Sequence, residues 1–256
     1  MVNTQNQYKY PLISIITVVY NSELYIEKTI LSIINQDYAK IEFIIVDGGS
    51  TDKTIEIIKK YEKFVTKWIS EKDNGLYDAM NKGINMASGD YLWFINSGDE
   101  VYSNTVLNEI FQNGSKLPDV IYGETEIIDY KGQIIGMRRH SIPEKLNWKS
   151  LKYGMLVCHQ SILVKKEIVV EYNLNYKYSS DFEWLIRVLK KAETVHNSRL
   201  ILSKFMDGGQ TSRTLLPGLK ERFRIMVTYY GFIITTLNHF ILAIKLVFFY
   251  LKNKRI

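Results

Sequence analysis

Short apolar segments alternate with amphipathic segments through the first hundred residues of the chain. The apolar segments are rich in β-branched residues, which predicts strands at 12–20, 41–46, 65–69 and 90–95. The amphipathic segments follow polar capping residues, which predicts helices at 23–35, 51–61 and 76–86. Strands and helices that alternate at this spacing predict an α/β fold with a mostly parallel sheet and helices on both faces.

The second half of the chain is less regular. A hairpin is predicted from residues 120–128 and 133–139, a helix at 182–191 and a late strand at 200–205. Length and apolar content are sufficient for one α/β domain with an appendage, since 46% of the 256 residues are hydrophobic.

Polar loops follow each of the four early strands. They contain Tyr20-Asn21, Asp47-Gly48-Gly49, Glu71-Lys72-Asp73 and Asn96-Ser97-Gly98-Asp99. In open α/β sheets, ligands bind at the carboxyl ends of the strands. The pattern therefore predicts one binding site where these loops converge.

Five segments in order carry a family resemblance: 14–21, 46–52, 73–83, 87–91 and 96–99. Together they resemble the nucleotide-binding half of the large GT-A family of inverting, family-2 type glycosyltransferases, and the resemblance covers about residues 11–210. It implies a GT-A-type (Rossmann-like) fold and a hexosyltransferase-type enzyme of cell-surface polysaccharide synthesis. Such an enzyme moves a sugar from a nucleotide diphosphate donor, with UDP-sugar favoured, to a hydroxyl of a glycan or lipid-linked glycan.

The resemblance also implies which residues bind the nucleotide. Tyr20 is expected to stack near the base, and Asn21, Asp47, Asp73 and Asn81 are expected to contribute to nucleotide binding. A structural alternative stays open, because an Asp beside glycines is also a common turn residue.

Asp99 is the residue expected to hold a divalent metal, Mg or Mn, on the diphosphate. The family commonly has paired acids where this chain has Gly98-Asp99, and often a second acid where it has Gly48. One carboxylate with the donor's own phosphates is still a reasonable magnesium site, because Mg²⁺ commonly keeps waters and shares substrate oxygens.

Asp181 is the predicted general base, since the segment 179–184 resembles the acidic motif that opens the late helix in the family. The alternative is a helix cap, and Glu183 is the nearest rival for the role of base. His159 and Gln160 are possible contacts of the diphosphate or the acceptor, although a structural histidine is equally compatible with the pattern. Cys158 beside them is interpreted as a small buried thiol rather than a nucleophile.

The C-terminal segment differs from the rest in charge and hydropathy. The chain has 33 Lys and Arg against 27 Asp and Glu, and residues 213–256 hold eight of those basic residues and one acidic residue. Residues 225–244 carry no charged side chain. We expect domains at 1–212, the glycosyltransferase, and 213–256, a helical tail in contact with an anionic membrane surface.

This tail predicts a peripheral or monotopic protein on the cytoplasmic side of the cell membrane. A lone cysteine fits a reducing compartment. The net positive charge comes from the tail, which argues against a nucleic-acid partner. A membrane-spanning helix and a helix packed on the catalytic domain or on a second copy are the alternatives for the tail. The alternatives for function are transfer to a polyprenyl phosphate, and a catalytically silent nucleotide-sugar-binding subunit.

Overall fold

A computed structural model describes residues 10–111, 117–138, 141–208 and 215–241. These ranges contain nine strands: β1 Ile13–Val19, β2 Ile41–Asp47, β3 Lys67–Ser70, β4 Tyr91–Phe94, β5 Glu100–Val101, β6 Val120–Ile128, β7 Ile134–Met137, β8 Ile162–Lys165 and β9 Val195–Met206. The α-helices are α1 Ile26–Ile34, α2 Thr54–Lys60, α3 Leu76–Met86, α4 Val106–Phe111, α5 Ser180–Lys191 and α6 Leu215–Tyr230. A further helix spans residues 232–241.

One sheet contains all nine of these strands, in the order β3-β2-β1-β4-β8-β6-β9-β5, with β7 paired to β6. The first four strands are mutually parallel, and β9 is parallel to β6. Strands β5, β7 and β8 run antiparallel to their neighbours. The predicted α/β fold with a mostly parallel sheet and flanking helices is confirmed.

Strand β1 lies at the centre of the parallel half, and all seven of its residues are buried. Its side chains alternate between two cores: Ile16 and Val18 face one, and Ile13, Ile15 and Val19 face the other. Burial on both faces explains why the strand is largely apolar rather than alternating between apolar and polar residues. Its carboxyl end opens directly into the polar loop at Tyr20.

The sequence prediction misses short or extended elements in the second half. Strand β9 begins at Val195, five residues before the predicted strand, because it pairs with the whole length of β6. The prediction also lacks β5 and α4, which have two and six residues. Elements this short carry too few residues to show a period.

Helix α6 packs against the α/β body of the protein. Ile225 and Met226 are buried in the same core as α3 and α5, and the hydroxyl of Tyr229 donates to Glu183. The ring of Tyr230 stacks on Trp148 with 5.9 Å between centroids. The alternative of a helix packed on the catalytic domain therefore describes α6, while the domain boundary at residue 212 stays a prediction.

The helix at 232–241 buries polar side chains against the rest of the protein and exposes apolar ones. Thr235 is fully buried and Asn238 donates to the carbonyl of Lys152. The exposed apolar side chains are Phe232, Ile233, Ile234, Leu237, Phe240 and Ile241. Within the described residues, no helix combines the length and the hydropathy needed to cross a membrane. Residues 242–256, which complete the predicted tail, lie outside the described residues.

Candidate active site

A cavity of about 490 Å³ opens at the carboxyl ends of β1 and β4. Its acidic lining residues are Asp99 and Asp181, and its basic ones are Arg138, Lys177 and Arg222. Tyr20, Tyr77, Asn96, His159 and Gln160 also line it. The cavity therefore joins the ends of the parallel strands to the start of α5 and to α6.

Tyr20, which lines this cavity, lies close to Gly48 and Asp73. The ring of Tyr20 is 62% exposed, which leaves a face free for stacking. A Cβ built on Gly48 would lie 2.3 Å from Oδ2 of Asp73 and 3.5 Å from the Tyr20 ring. This close approach explains the glycine where the family often has an acid, because any side chain at position 48 displaces the Asp73 carboxylate.

Asp47 is fully buried and shapes the loop after β2. Its Oδ2 accepts hydrogen bonds from the backbone of Gly49 (3.1 Å) and Ser50 (2.9 Å) and from the hydroxyl of Ser70 (2.7 Å). Its Oδ1 accepts one from the Ser50 hydroxyl. This is the turn role that the sequence left open, and a direct contact of Asp47 with the nucleoside stays a prediction.

The two asparagines expected to bind nucleotide make contacts within the protein. Oδ1 of Asn21 accepts the backbone N–H of Thr51 at 2.8 Å, which ties the loop after β1 to the loop after β2. The amide of Asn81 donates to the carbonyl of Tyr172 and accepts its N–H, at 2.9 and 2.7 Å. These two bonds fix the backbone of Tyr172, and a contact of Asn81 with the nucleotide stays a prediction.

Asp99 lies at the base of the cavity and is 5% exposed. Gln160 donates to its Oδ2 at 2.8 Å, and the backbone N–H of Met206 donates to its Oδ1 at 3.1 Å. Burial raises the pKa of Asp99 to about 7, although both hydrogen bonds oppose the rise. Gln160, predicted as a substrate contact, is bonded to the expected metal ligand.

Gly98 has a backbone conformation that explains the missing second acid. Its φ is +100°, and a Cβ there would lie 2.5 Å from the Cε atom of Met206. L-residues rarely adopt such a φ, so an acid at this position would strain the turn and collide with Met206. Asp99 is consequently the single carboxylate of the motif.

The fit of a metal can be judged from the donor atoms around Asp99. Each of its oxygens keeps a second lone pair, and Asn96 in the same cavity has a buried amide oxygen without a hydrogen-bond partner among the described residues. The part of the chain that the structure describes has no group of three or more His, Cys, Asp and Glu side chains suited to a metal. These donors fit a cation such as Mg²⁺ that takes its other ligands from water and phosphate, and not a site enclosed by protein alone.

Asp181 lies in the first turn of α5 with its carboxylate at the cavity. The hydroxyl of Tyr77 donates to its Oδ1 at 3.1 Å, and the helix has no side-chain cap. Burial and the nearby Asp181 carboxylate raise the pKa of Tyr77, so the phenol stays protonated and donates. Glu183 points elsewhere, to Arg187 and Tyr229. These contacts favour a chemical role for Asp181 over the cap role.

His159 lies between the two sides of the cavity. Its Nε2 is 3.2 Å from the amide nitrogen of Asn96, and its Nδ1 is 3.8 Å from Oδ2 of Asp181. Burial lowers the pKa of His159, against the opposing effect of Asp181. A neutral ring whose Nε2 accepts from Asn96 carries its proton on Nδ1, facing Asp181. The thiol of Cys158 next to it stays protonated, because burial raises its pKa.

Sequence reasoning missed several residues of the cavity, among them Tyr77, Arg138, Lys177 and Arg222. Tyr77 lies inside segment 73–83, which carries the family resemblance, but the resemblance assigned it no role. Arg138 follows an irregular hairpin, and Arg222 was counted among the basic residues of the tail. Their approach to the cavity depends on packing between distant segments, for which the sequence has no local signal.

Comparison with known proteins agrees with this geometry. The profile of glycosyl transferase family 2 matches residues 14–172. An uncharacterized glycosyltransferase of Haemophilus influenzae is 32% identical over 189 residues, covering 72% of this chain and 74% of the relative.

Two solved structures share the fold. S. aureus TarS 1-349 in complex with UDP-GlcNAc has a TM-score of 0.66 and 17% identity, covering 85% of this chain and 66% of that one. The mannosyltransferase PcManGT from Pyrobaculum calidifontis, in complex with GDP-Man and Mn²⁺, has a TM-score of 0.62 and 14% identity, covering 86% and 66%. The chain spans about two thirds of the length of each. From the profile match and the H. influenzae relative together, the chain belongs to glycosyl transferase family 2 and is a glycosyltransferase.

Proposed function

We propose that this enzyme inverts the anomeric centre of its donor, with Asp181 as the general base. Asp181 takes the proton of the acceptor hydroxyl while that oxygen attacks the anomeric carbon from the face opposite the diphosphate. The observation that carries the proposal is the orientation of Asp181: its carboxylate lines the same cavity as Asp99 and is held there by Tyr77. The neutral ring of His159 lies next to this carboxylate, with its Nδ1 3.8 Å from Oδ2 of Asp181.

The proposed donor is a nucleotide diphosphate sugar, and a UDP-sugar is favoured. The exposed Tyr20 ring offers a stacking face for the base. Oδ2 of Asp73, next to it, accepts no hydrogen bond from the described residues and suits a donor group of the nucleoside. The TarS structure with a similar fold contains UDP-GlcNAc. Asp47 and Asn21 support this site by holding the two loops together.

A divalent cation, Mg or Mn, is proposed as the cofactor, held by Asp99 with the amide oxygen of Asn96 close by. When bound, it would neutralise the negative charge that gathers on the departing nucleoside diphosphate. Gln160 orients the Asp99 carboxylate through its hydrogen bond.

We further propose that the acceptor is a glycan or lipid-linked glycan and that the enzyme works at the cytoplasmic face of the membrane, in cell-surface polysaccharide synthesis. The support is the reversed polarity of the helix at 232–241, whose apolar side chains are exposed. Exposed apolar surface of this kind marks a contact with membrane or protein. Basic residues follow it in sequence at Lys245, Lys252, Lys254 and Arg255, and favour an anionic lipid surface.

The variant Asp181→Asn tests the role of the base. We expect sugar transfer to fall by ~10²–10⁴, the usual contribution of a positioned proton acceptor. The dissociation constant of UDP and the melting temperature should change little, because Asn has nearly the same shape and can still accept the bond from Tyr77. Glu167→Gln, the same change at an exposed carboxylate, is the matched control. Near-normal transfer by Asp181→Asn would exclude the proposed base, and failure of the wild type to bind UDP would exclude the proposed donor.

A further inference from the structure

Three cationic side chains line the same cavity as Asp181: Arg138, Lys177 and Arg222. They come from the end of β7, the loop before α5 and helix α6. Tyr20, Gly48 and Asp73 lie together at the ends of β1, β2 and β3. The cations of the cavity therefore come from segments other than the loops proposed to bind the nucleoside.

The guanidinium of Arg138 contributes a hydrogen-bond donor to the cavity. One terminal nitrogen of its guanidinium donates to the carbonyl of Met155, and the other, Nη1, is buried without a hydrogen-bond partner among the described residues. Its charge acts on Cys158, the neighbour of His159 in sequence. A buried N–H without a partner costs free energy, so a ligand oxygen that accepted it would bind favourably.

Arg222, on helix α6, shows the same feature. Its guanidinium carbon lies 5.5 Å from the ring centroid of Phe182, the residue after Asp181. Its Nε is also buried without a partner within the described ranges. The ion pairs formed by the described residues include neither arginine.

Glu221, the neighbour of Arg222, is already occupied. Its carboxylate accepts backbone N–H bonds from Lys177, Tyr178 and Ser179, at 2.8, 2.7 and 2.6 Å. These three bonds attach α6 to the loop that leads into α5. With Glu221 fixed in this way, the guanidinium of Arg222 is left for a ligand in the cavity that Asp181 also lines.

We infer that the acceptor carries a phosphate group, which Arg138 and Arg222 bind beside the hydroxyl that receives the sugar. The inference rests on the proposed function, because Asp181 marks where that hydroxyl lies. Guanidinium groups match phosphate oxygens in geometry, and charge-assisted bonds of this kind are stronger than neutral ones. Three cations exceed what a single carboxylate needs, which favours phosphate. The alternative occupant is the diphosphate of the donor, and the experiment separates the two.

The experiment uses the full chain saturated with UDP and Mg²⁺, so that the donor site is filled. Glycerol phosphate is titrated by calorimetry, with glycerol as the neutral probe. We expect glycerol phosphate to bind and glycerol to bind at least about tenfold more weakly. Arg222→Gln and Arg138→Gln should each weaken glycerol phosphate by about tenfold or more, in line with the loss of a charged hydrogen bond. Lys220→Gln removes one exposed charge from the same helix and should shift binding less than about twofold, since exposed charges are screened.

UDP binding by the same variants decides between acceptor and donor. The inference requires that Arg222→Gln and Arg138→Gln leave the dissociation constant of UDP within about twofold. Equal loss of UDP and glycerol phosphate would assign the arginines to the donor diphosphate and overturn it. Equal binding of glycerol and glycerol phosphate, or wild-type binding by both variants, would also overturn it. Arg222→Lys keeps the charge and should recover part of the affinity, which a folding defect would not explain. Absence of UDP binding by the wild type would instead refute the proposed function itself.

Discussion

The two sides of the cavity are built in different ways. The nucleotide side consists of loops that follow β1 to β4, so each of its side chains lies next to the strand that positions it. The acceptor side is assembled from the end of β7, the first turn of α5 and helix α6, which lie far apart in sequence. The proposed donor site is therefore encoded locally, whereas the proposed acceptor site depends on packing between distant segments. A change that disturbs packing should damage the acceptor side first.

The largest expected effect comes from removing α6. A chain ending at Thr214 loses the burial of Ile225 and Met226, worth about 1.5–3 kcal/mol for each side chain. Since a domain of this kind has only about 5–15 kcal/mol of total stability, the loss is a large fraction of it. It also loses the three bonds from Glu221 to the loop before Asp181. We expect a sharply lower melting temperature and no measurable sugar transfer.

The matched variant changes only the outer face of the next helix. Ile233→Gln with Leu237→Gln replaces two exposed apolar side chains and leaves Thr235 and Asn238 in their contacts. Binding to anionic vesicles should fall at least about tenfold, while the melting temperature and transfer to a soluble acceptor stay close to wild type. For the truncated chain and for this double variant, vesicle sedimentation measures membrane binding, thermal melts measure stability and a transfer assay measures activity. If the chain truncated at Thr214 melts and transfers like the full chain, α6 has no role in the acceptor side.

Sequence reasoning succeeds where the decisive contacts are local. The strand runs and the loops that follow them predicted the parallel half and the location of the cavity. It could not separate residues that point into the cavity from those bonded to backbone: Asn81 lies within a family segment, yet both ends of its amide are bonded to Tyr172. Arg222 is the opposite case. The basic and apolar residues around it in the sequence predicted a membrane anchor, but its approach to the cavity depends on the packing of α6 against α5.

An intermediate effect is expected on the nucleotide side from Gly48→Ala. The added Cβ would lie 2.3 Å from Oδ2 of Asp73, so that carboxylate has to move. We expect UDP to bind about tenfold more weakly, because a charged hydrogen bond is displaced, with little change in melting temperature. Gly218→Ala is the control, since a Cβ there meets the Cβ of Tyr178 at an ordinary 3.7 Å. Unchanged UDP affinity in Gly48→Ala would remove Asp73 from the nucleotide site.

The smallest expected effect concerns His159, which connects the two sides through Asn96 and Asp181. Burial lowers the pKa of this histidine in the folded protein, while the unfolded chain titrates near the ordinary value of about 6.5. As the pH falls through that value, the unfolded chain binds a proton that the folded protein does not, so stability is lost, by at most about 1.4 kcal/mol per pH unit. His159→Gln removes this term. Between pH 7.5 and 5.5 its melting temperature should therefore fall less than that of the wild type, whereas the exposed control His196→Gln should follow the wild type. If the melting temperatures of His159→Gln and the wild type fall in parallel with pH, protonation of His159 does not lower stability. The ring is then not held in its neutral form between Asn96 and Asp181.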